Sequence, residues 1–173
     1  MTQQIAFDPR GILAALDRNY VAYVLIGGLA RVIRGTDEVT HGIDVCPSLR
    51  PENVERLERA LSELEAKRTG RGKLELEKAI QDEPVLTLRT AGGELRIVPE
   101  PAGTRRGYDD LRRAATREHI GHGLRPNVAS VADLARMTAA LGREADADRL
   151  RELRRIMEVE VRLQRLQGGE AGA

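Results

Sequence analysis

Residues 23–46, YVLIGGLARVIRGTDEVTHGIDVC, decide the fold. The run Tyr23–Ile26 is apolar throughout, which is typical of a strand buried on both faces. Gly27 and Gly28 follow it, and such a pair allows either a sharp turn or a close approach to a ligand. Residues 29–34 then fit about two helical turns. The stretch therefore predicts a strand, a glycine turn and a short helix in that order.

The end of the same stretch predicts a second strand with a carboxylate in its middle. Residues 42–46 alternate, so Ile43 and Val45 share one face while Gly42 and Asp44 share the other. We therefore expect the Asp44 carboxylate to sit in the middle of a strand, beside the strand that leads into the glycine pair.

Length and composition bound the class of protein. The 173 residues suit one domain, or one domain with a helical appendage. Aromatic residues make up only 2% of a chain that is 41% hydrophobic, so the core must consist of Leu, Val, Ile and Ala. A net charge of +1 gives no overall field that would attract nucleic acid. The single cysteine, Cys46, excludes an internal disulfide and a cysteine-based zinc site.

The rest of the chain alternates between helical and strand patterns. Pro51 opens a helix, residues 85–89 and 94–98 form a predicted hairpin, and residues 74–80 fit either a strand or a helix. Further predicted elements are a helix at 108–115, a small hairpin within 117–128, a helix after residue 130 and a long charged helix at 146–167. We predict an α/β (α+β) fold with a central mixed sheet flanked by helices and a C-terminal helical segment.

These predicted elements define the expected organisation of the chain. Residues 1–129 form the core, residues 130–167 the helical segment and residues 168–173 a disordered tail. A signal peptide and a long apolar run are both absent from the sequence, so a cytoplasmic location without a membrane partner is expected.

The motif order resembles the nucleotidyltransferase superfamily of the DNA polymerase β type, in its small bacterial AbiEii-like branch. The matching residues are Gly27-Gly28, the short helix after them and residues 40–44, THGID. Runs at 98–103, 108–111 and 128–137 extend the similarity over residues 10–157. The resemblance implies three carboxylates that hold two magnesium ions for nucleotide transfer from a nucleoside triphosphate.

The sequence departs from the family at two of those three acid positions. Gly42 stands at the first and Arg96 at the third, which leaves Asp44 as the surviving catalytic acid and a weak metal ligand. Glu94 shares the face of Arg96 but lies about 6.5 Å along the strand, which makes it a poor substitute. The resemblance implies nucleotide or phosphate contacts from Gly27, Gly28 and Arg31, although the glycines also suit a plain strand-to-helix turn.

Two functions from different classes remain open. The first is a pseudoenzyme that binds a nucleotide, RNA or a cognate protein and needs no cofactor. The second is an active Mg²⁺-dependent nucleotidyltransferase that serves as a component of a toxin–antitoxin or phage-defence system. A simple oligomerisation module is a third, structural alternative, and the apolar stripe of the last helix predicts a homodimer contact. The resemblance also implies an ion pair between Asp44 and Arg96, because both residues stand at positions where the family's acids converge on the same metal ions.

Overall fold

The computed structural model describes residues 7–70 and 72–169. Within this part the chain forms seven α-helices and a seven-stranded mixed sheet. The helices are α1 (Pro9–Arg18), α2 (Gly27–Arg34), α3 (Pro51–Glu63), α4 (Leu76–Asp82), α5 (Tyr108–Leu111), α6 (Val131–Leu141) and α7 (Ala147–Gly169), with a 3₁₀ turn at Glu144–Asp146. The strands are β1 (Tyr23–Ile26), β2 (Gly42–Pro47), β3 (Lys67–Arg68), β4 (Leu86–Thr90), β5 (Gly93–Ile97), β6 (Thr116–Arg117) and β7 (Asn127–Val128).

The order of strands across the sheet is β3-β4-β5-β2-β1-β7-β6. Strand β2 runs antiparallel to β1 and parallel to β5. Its register places Gly42 beside Glu94 and Asp44 beside Arg96. On its other side, Asp44 lies opposite Ile26, the last residue of β1. The predicted α/β fold with a mixed central sheet is confirmed, and its middle strands carry the residues singled out by the sequence.

Local capping explains where α1 begins and where α2 ends. The Asp8 carboxylate accepts hydrogen bonds from the backbone N–H groups of Arg10 and Gly11, and Pro9 occupies the first helical position. Gly35 ends α2 in the left-handed conformation, with φ of 114°. Helix α2 starts at Gly27, directly at the end of β1, so the expected glycine turn is also the first turn of the helix.

The core is aliphatic, as the composition requires. The largest fully buried side chains are Ile12, Leu13, Leu16, Leu25, Ile43, Leu57, Leu86, Leu88, Leu95, Ile97, Leu111 and Leu134. Helix α3 contacts α1 and α4, while α6 contacts α2 and α7. Helix α2 also contacts β1 and β2, so it joins α6 and α7 to the middle of the sheet.

A buried amide secures the junction between β1, β2 and α3. Asn53 is only 3% exposed, and its Oδ1 accepts a hydrogen bond of 2.7 Å from the backbone N–H of Ala22. Its Nδ2 donates to the carbonyl oxygens of Ala22 and Ser48, at 2.9 and 2.8 Å. All three bonds fix the start of β1 relative to the chain that leaves β2.

Several element boundaries differ from those expected from the sequence. The ambiguous residues 74–80 fall mainly in helix α4, and the helix expected at 108–115 ends already at Leu111. Strand β3 was not predicted, since two residues are too few to show periodicity. Helix α7 continues through Gly168 and Gly169, and residues 170–173 of the expected tail lie outside the described residues. None of the helices in the described ranges combines the length and apolar character needed to cross a membrane.

Candidate functional site

A cavity of about 520 Å³ lies where α2, β2 and β5 meet α6 and the start of α7. The polar part of its wall comes from the strand face that carries Asp44, and an apolar part comes from residues such as Val39, Met137 and Leu141. The structure places every site residue expected from the sequence on this wall: Gly27, Gly28, Arg31, Gly42, Asp44 and Arg96.

Gly27 makes room for the carboxylate of Asp44. Its φ of 72° lies in the left-handed region, which disfavours residues with a side chain. A Cβ atom at this position would lie 2.0 Å from Asp44 Oδ2, well inside any real contact. The absence of a side chain at Gly27 therefore allows the Asp44 carboxylate to occupy its position. Gly28 is less constrained, because its Cβ would lie 3.2 Å from Thr40 Oγ1.

The predicted ion pair between Asp44 and Arg96 is confirmed. Arg96 Nε lies 2.6 Å from Asp44 Oδ1, and 3.5 Å from Glu94 Oε1. Neither of the two close atoms has a well-aligned hydrogen-bond partner among the described residues. The contact is therefore a close pairing of charges in which the Nε–H does not point along the line to the oxygen.

Burial and charge act in opposite directions on Asp44, whose side chain is 17% exposed. Burial raises the pKa of this carboxyl above its ordinary value, while the guanidinium groups of Arg96 and Arg31 oppose the rise. Glu94 adds to the rise through its negative charge. Removing Arg96 would leave this carboxylate without its nearest positive charge.

A second ionic network joins α2 to the following loop. Arg31 donates from Nε and Nη2 to the two carboxylate oxygens of Glu38, at 2.9 and 2.8 Å. The Thr36 hydroxyl donates to Glu38 Oε2 at 2.9 Å. Burial alone would raise the pKa of Glu38, but the bonds from Arg31 and Thr36 hold it below its ordinary value. Arg31, expected to face phosphate, thus lines the cavity with its guanidinium bound to a carboxylate.

The same network reaches the junction before α7. Asp146 is 3% exposed and accepts from Arg143 Nε at 2.6 Å and from Arg149 Nη1 at 2.8 Å. Arg149 Nε also lies 3.4 Å from Glu38 Oε1. Burial opposes ionisation of Asp146, yet the two arginines hold its pKa below the ordinary value. The spacing of three residues from Arg143 to Asp146 and on to Arg149 is visible in the sequence, but the contact of Arg149 with Glu38 is not, because the two residues lie on separate segments of the chain.

Arg34, on the same short helix as Arg31, has a structural role. Its guanidinium donates to the carbonyl oxygens of Val128 and Ala129, at 2.8 and 2.9 Å, and to the side chains of Thr116 and Glu118. These bonds hold α2 against β6 and β7. Because its guanidinium is bound to these groups, Arg34 does not line the cavity.

The donor set does not fit a pair of magnesium ions. Magnesium requires near-octahedral oxygen ligation, and Gly42 offers no side-chain oxygen. Asp44 is paired with Arg96, and Glu38 is held by Arg31. Over residues 7–70 and 72–169, no group of three or more His, Cys, Asp or Glu side chains could hold a metal. A cation entering here would have to displace a tethered guanidinium from Asp44.

No protein-family model and no curated protein sequence matches the chain. Solved structures do. An inferred nucleotidyltransferase from Thermotoga maritima is 21% identical and superimposes with a TM-score of 0.56, over 88% of this chain and 97% of that one. ANT(2'')-Ia in complex with adenylyl-2''-tobramycin is 16% identical with a TM-score of 0.53, over 91% of this chain and 89% of that one. The cavity described above therefore lies in a protein that has the nucleotidyltransferase fold.

Proposed function

We propose that this protein is a nucleotide-binding pseudoenzyme built on the nucleotidyltransferase fold. The observation that carries the proposal is the 2.6 Å contact between Arg96 Nε and Asp44 Oδ1. A fixed positive charge occupies the place next to the one remaining family carboxylate, where catalysis would require a metal ion.

Loss of transfer follows from the chemistry of the reaction. Two metal ions must polarise the attacking oxygen and neutralise the leaving pyrophosphate. Gly42 contributes no ligand, and a Cβ atom there would already lie 3.1 Å from the carbonyl oxygen of Glu94. The cavity thus lacks the ligands for two cations. Residue 42 also has little room for a side chain that could supply another ligand.

Nucleotide binding is supported by the shape and mixture of the wall. A volume of about 520 Å³ falls within the range of roughly 300–1,000 Å³ found for small-molecule sites. Val39 and Leu141 are 80% and 49% exposed and offer apolar surface to a base. Four arginines line the cavity against three carboxylates, and guanidinium groups suit phosphate recognition.

A transfer assay tests the loss of activity. Incubation with labelled nucleoside triphosphates, Mg²⁺ and bulk RNA should give no labelled product, while a titration monitored by calorimetry should detect nucleotide binding. Strong labelling that disappears in Asp44→Ala would instead establish the active Mg²⁺-dependent enzyme. A protein that neither labels an acceptor nor binds a nucleotide would contradict the proposal as a whole.

We further propose that such a pseudoenzyme acts in the cytoplasm through RNA or a cognate protein partner, in a toxin–antitoxin or phage-defence setting. The support is the AbiEii-like order of motifs in the sequence. Co-purification of the tagged chain from its own host, followed by sequencing of bound RNA and identification of bound protein, tests this. Recovery of the chain alone would contradict it.

A further inference from the structure

We propose that the cavity binds nucleotide phosphates without a divalent cation, with the Arg96 guanidinium acting where a metal ion would otherwise stand. This inference rests on the proposed nucleotide-binding function and names how the phosphate is held. It separates the protein from a metal-dependent enzyme by a measurable property, the direction in which Mg²⁺ changes affinity.

The position of Arg96 supports this role. Its Nε lies 2.6 Å from Asp44 and 3.5 Å from Glu94, so attraction between opposite charges holds this side of the guanidinium near the two carboxylates. The side chain is nevertheless 42% exposed and lines the cavity. A guanidinium has five N–H donors, and contacts at Nε leave those of the two terminal nitrogens for a ligand. An arginine fixed on one edge and open on the other suits two-point binding of a phosphate.

Two of the other three arginines of the wall are more fully engaged. Arg31 is only 12% exposed and gives two hydrogen bonds to Glu38. Arg149 is 38% exposed and contacts both Asp146 and Glu38. Arg143 binds Asp146 through Nε alone and is 57% exposed, so it can add a second contact to a bound phosphate. Of these four arginines, Arg96 is the one that pairs with Asp44, on the strand face that forms the polar part of the wall, and it is therefore the principal anchor.

The charges predict that Mg²⁺ opposes binding. A metal-free triphosphate carries more negative charge than its magnesium complex, and the complex brings a dication toward four arginines. The carboxylates that could bind this dication are already paired with arginines, Asp44 with Arg96 and Glu38 with Arg31. Losing one partly exposed charge contact reduces affinity roughly fivefold. We expect ATP to bind roughly fivefold more weakly with excess Mg²⁺ than with EDTA.

Calorimetric titration of the full chain with ATP, in EDTA and in excess Mg²⁺, tests the inference. Arg96→Gln should weaken binding in EDTA by roughly tenfold, because a charged two-point contact is lost. Arg96→Asp should reverse the effect of Mg²⁺, since a carboxylate beside Asp44 favours a cation. Arg59→Asp makes the same charge change at an exposed position of α3 away from the cavity, and should leave both affinities unchanged. Thermal unfolding of each variant checks that it is folded.

The outcomes separate this inference from the function on which it rests. Binding that requires Mg²⁺ in the wild-type protein would overturn the metal-free anchor but leave nucleotide binding intact. Binding in EDTA that Arg96→Gln does not weaken would overturn the role of Arg96. An absence of ATP binding under both conditions would remove the inference and the proposed function together. If Arg96→Asp does not fold, two measurements still test the inference. They are the effect of Mg²⁺ on ATP affinity in the wild-type protein and the ATP affinity of Arg96→Gln in EDTA.

Discussion

At the residue scale, Gly27 and Asp44 share a volume that admits only one side chain. The Asp44 carboxylate occupies the space that a Cβ on residue 27 would need, 2.0 Å away. Because Gly27 also has a left-handed φ, two separate constraints select glycine here. The geometry of the site is thus coupled to the first turn of α2.

Gly27→Ala should destabilise the protein by about 1–3 kcal/mol, because backbone strain and displacement of Asp44 add together. For a chain of this size each kcal/mol lowers the melting temperature by about 2–4 °C. Gly28→Ala is the matched control, since its φ lies outside the left-handed region, alanine favours a helix, and the nearest side-chain atom to the new Cβ is 3.2 Å away instead of 2.0 Å. Calorimetric melting of both variants tests the prediction, which equal melting temperatures would contradict.

Glu38 predicts a defined dependence of stability on pH. Its pKa in the fold lies below the ordinary value of 4.5, so its carboxylate stabilises the fold fully above about pH 5, and this contribution disappears as the pH falls below 4.5. Glu38→Gln should lower the free energy of unfolding at pH 7 by about 1–3 kcal/mol. The variant should also lose less stability than wild type between pH 5 and pH 3.5.

Urea unfolding at several pH values measures both effects of Glu38→Gln. Glu58→Gln, at an exposed position of α3, serves as the control for removal of one carboxylate. An acid loss of stability as steep in Glu38→Gln as in wild type would show that the contacts of Glu38 with Arg31 and Thr36 do not depend on its charge.

The residues of the site could be predicted from the sequence only in part. Asp44 and Arg96 share a strand-alternation pattern and family positions, so their pairing was predictable. The pairing of Arg31 with Glu38 was not predictable, because Glu38 lies in a loop where the sequence shows no helical or strand periodicity. Asn53 likewise bonds to carbonyls whose positions depend on the finished sheet. Side-chain chemistry that depends on local periodicity is visible in a sequence, and chemistry that depends on loop shape is not.

At the scale of elements, α7 divides into two halves. Leu153 is fully buried and Ile156 packs against the core, in the part that follows the Asp146 cluster. Beyond residue 157 every side chain through residue 168 is exposed. The first half therefore packs into the domain that contains the cavity. The second half lies beside a surface groove lined by Arg34, Thr116 and Val131, while its own side chains stay exposed.

Leu153→Ala should destabilise the protein by about 2–5 kcal/mol, the usual effect of emptying a fully buried leucine site. Leu166→Ala, at a position that is 69% exposed, should change stability by less than about 0.5 kcal/mol. Chemical unfolding of the two variants gives both values. Similar losses in the two would indicate that the second half of α7 is packed in solution.

Elements with strong periodicity were predictable, and short ones were not. The alternation of β4 and β5 and the apolar run of β1 predicted their strands within one or two residues. Helix α5 ends after four residues because the chain turns at residues 112–115, where the sequence still looks helical. Strand β3 forms only because β4 offers it a partner, a tertiary effect that two residues do not reveal.

At the scale of the whole molecule, the exposed half of α7 predicts self-association. Val159, Leu163 and Leu166 recur at spacings of four and three, so they share one face of the helix, and they are between 52% and 69% exposed. A group of apolar residues of this kind favours contact with another protein surface. We predict a homodimer through this helix at high micromolar concentration. Sedimentation of wild type, Leu166→Gln and the control Arg165→Gln tests it, with dissociation expected for Leu166→Gln alone and a wild-type monomer contradicting the prediction.

The parallel pairing of β2 with β5 limits which sites this protein can reach by mutation. Gly42 lies beside Glu94 and Asp44 beside Arg96, so two adjacent strands would have to change before three acids could face one another. Arg96→Asp alone sets two carboxylates side by side, and Gly42→Asp alone presses on the Glu94 carbonyl, 3.1 Å from the new Cβ. Arg96→Asp creates a place for one cation but not a set of three facing carboxylates, and Gly42→Asp leaves Arg96 in place. A site for two metal ions is in this sense an evolutionary step that no single substitution reaches.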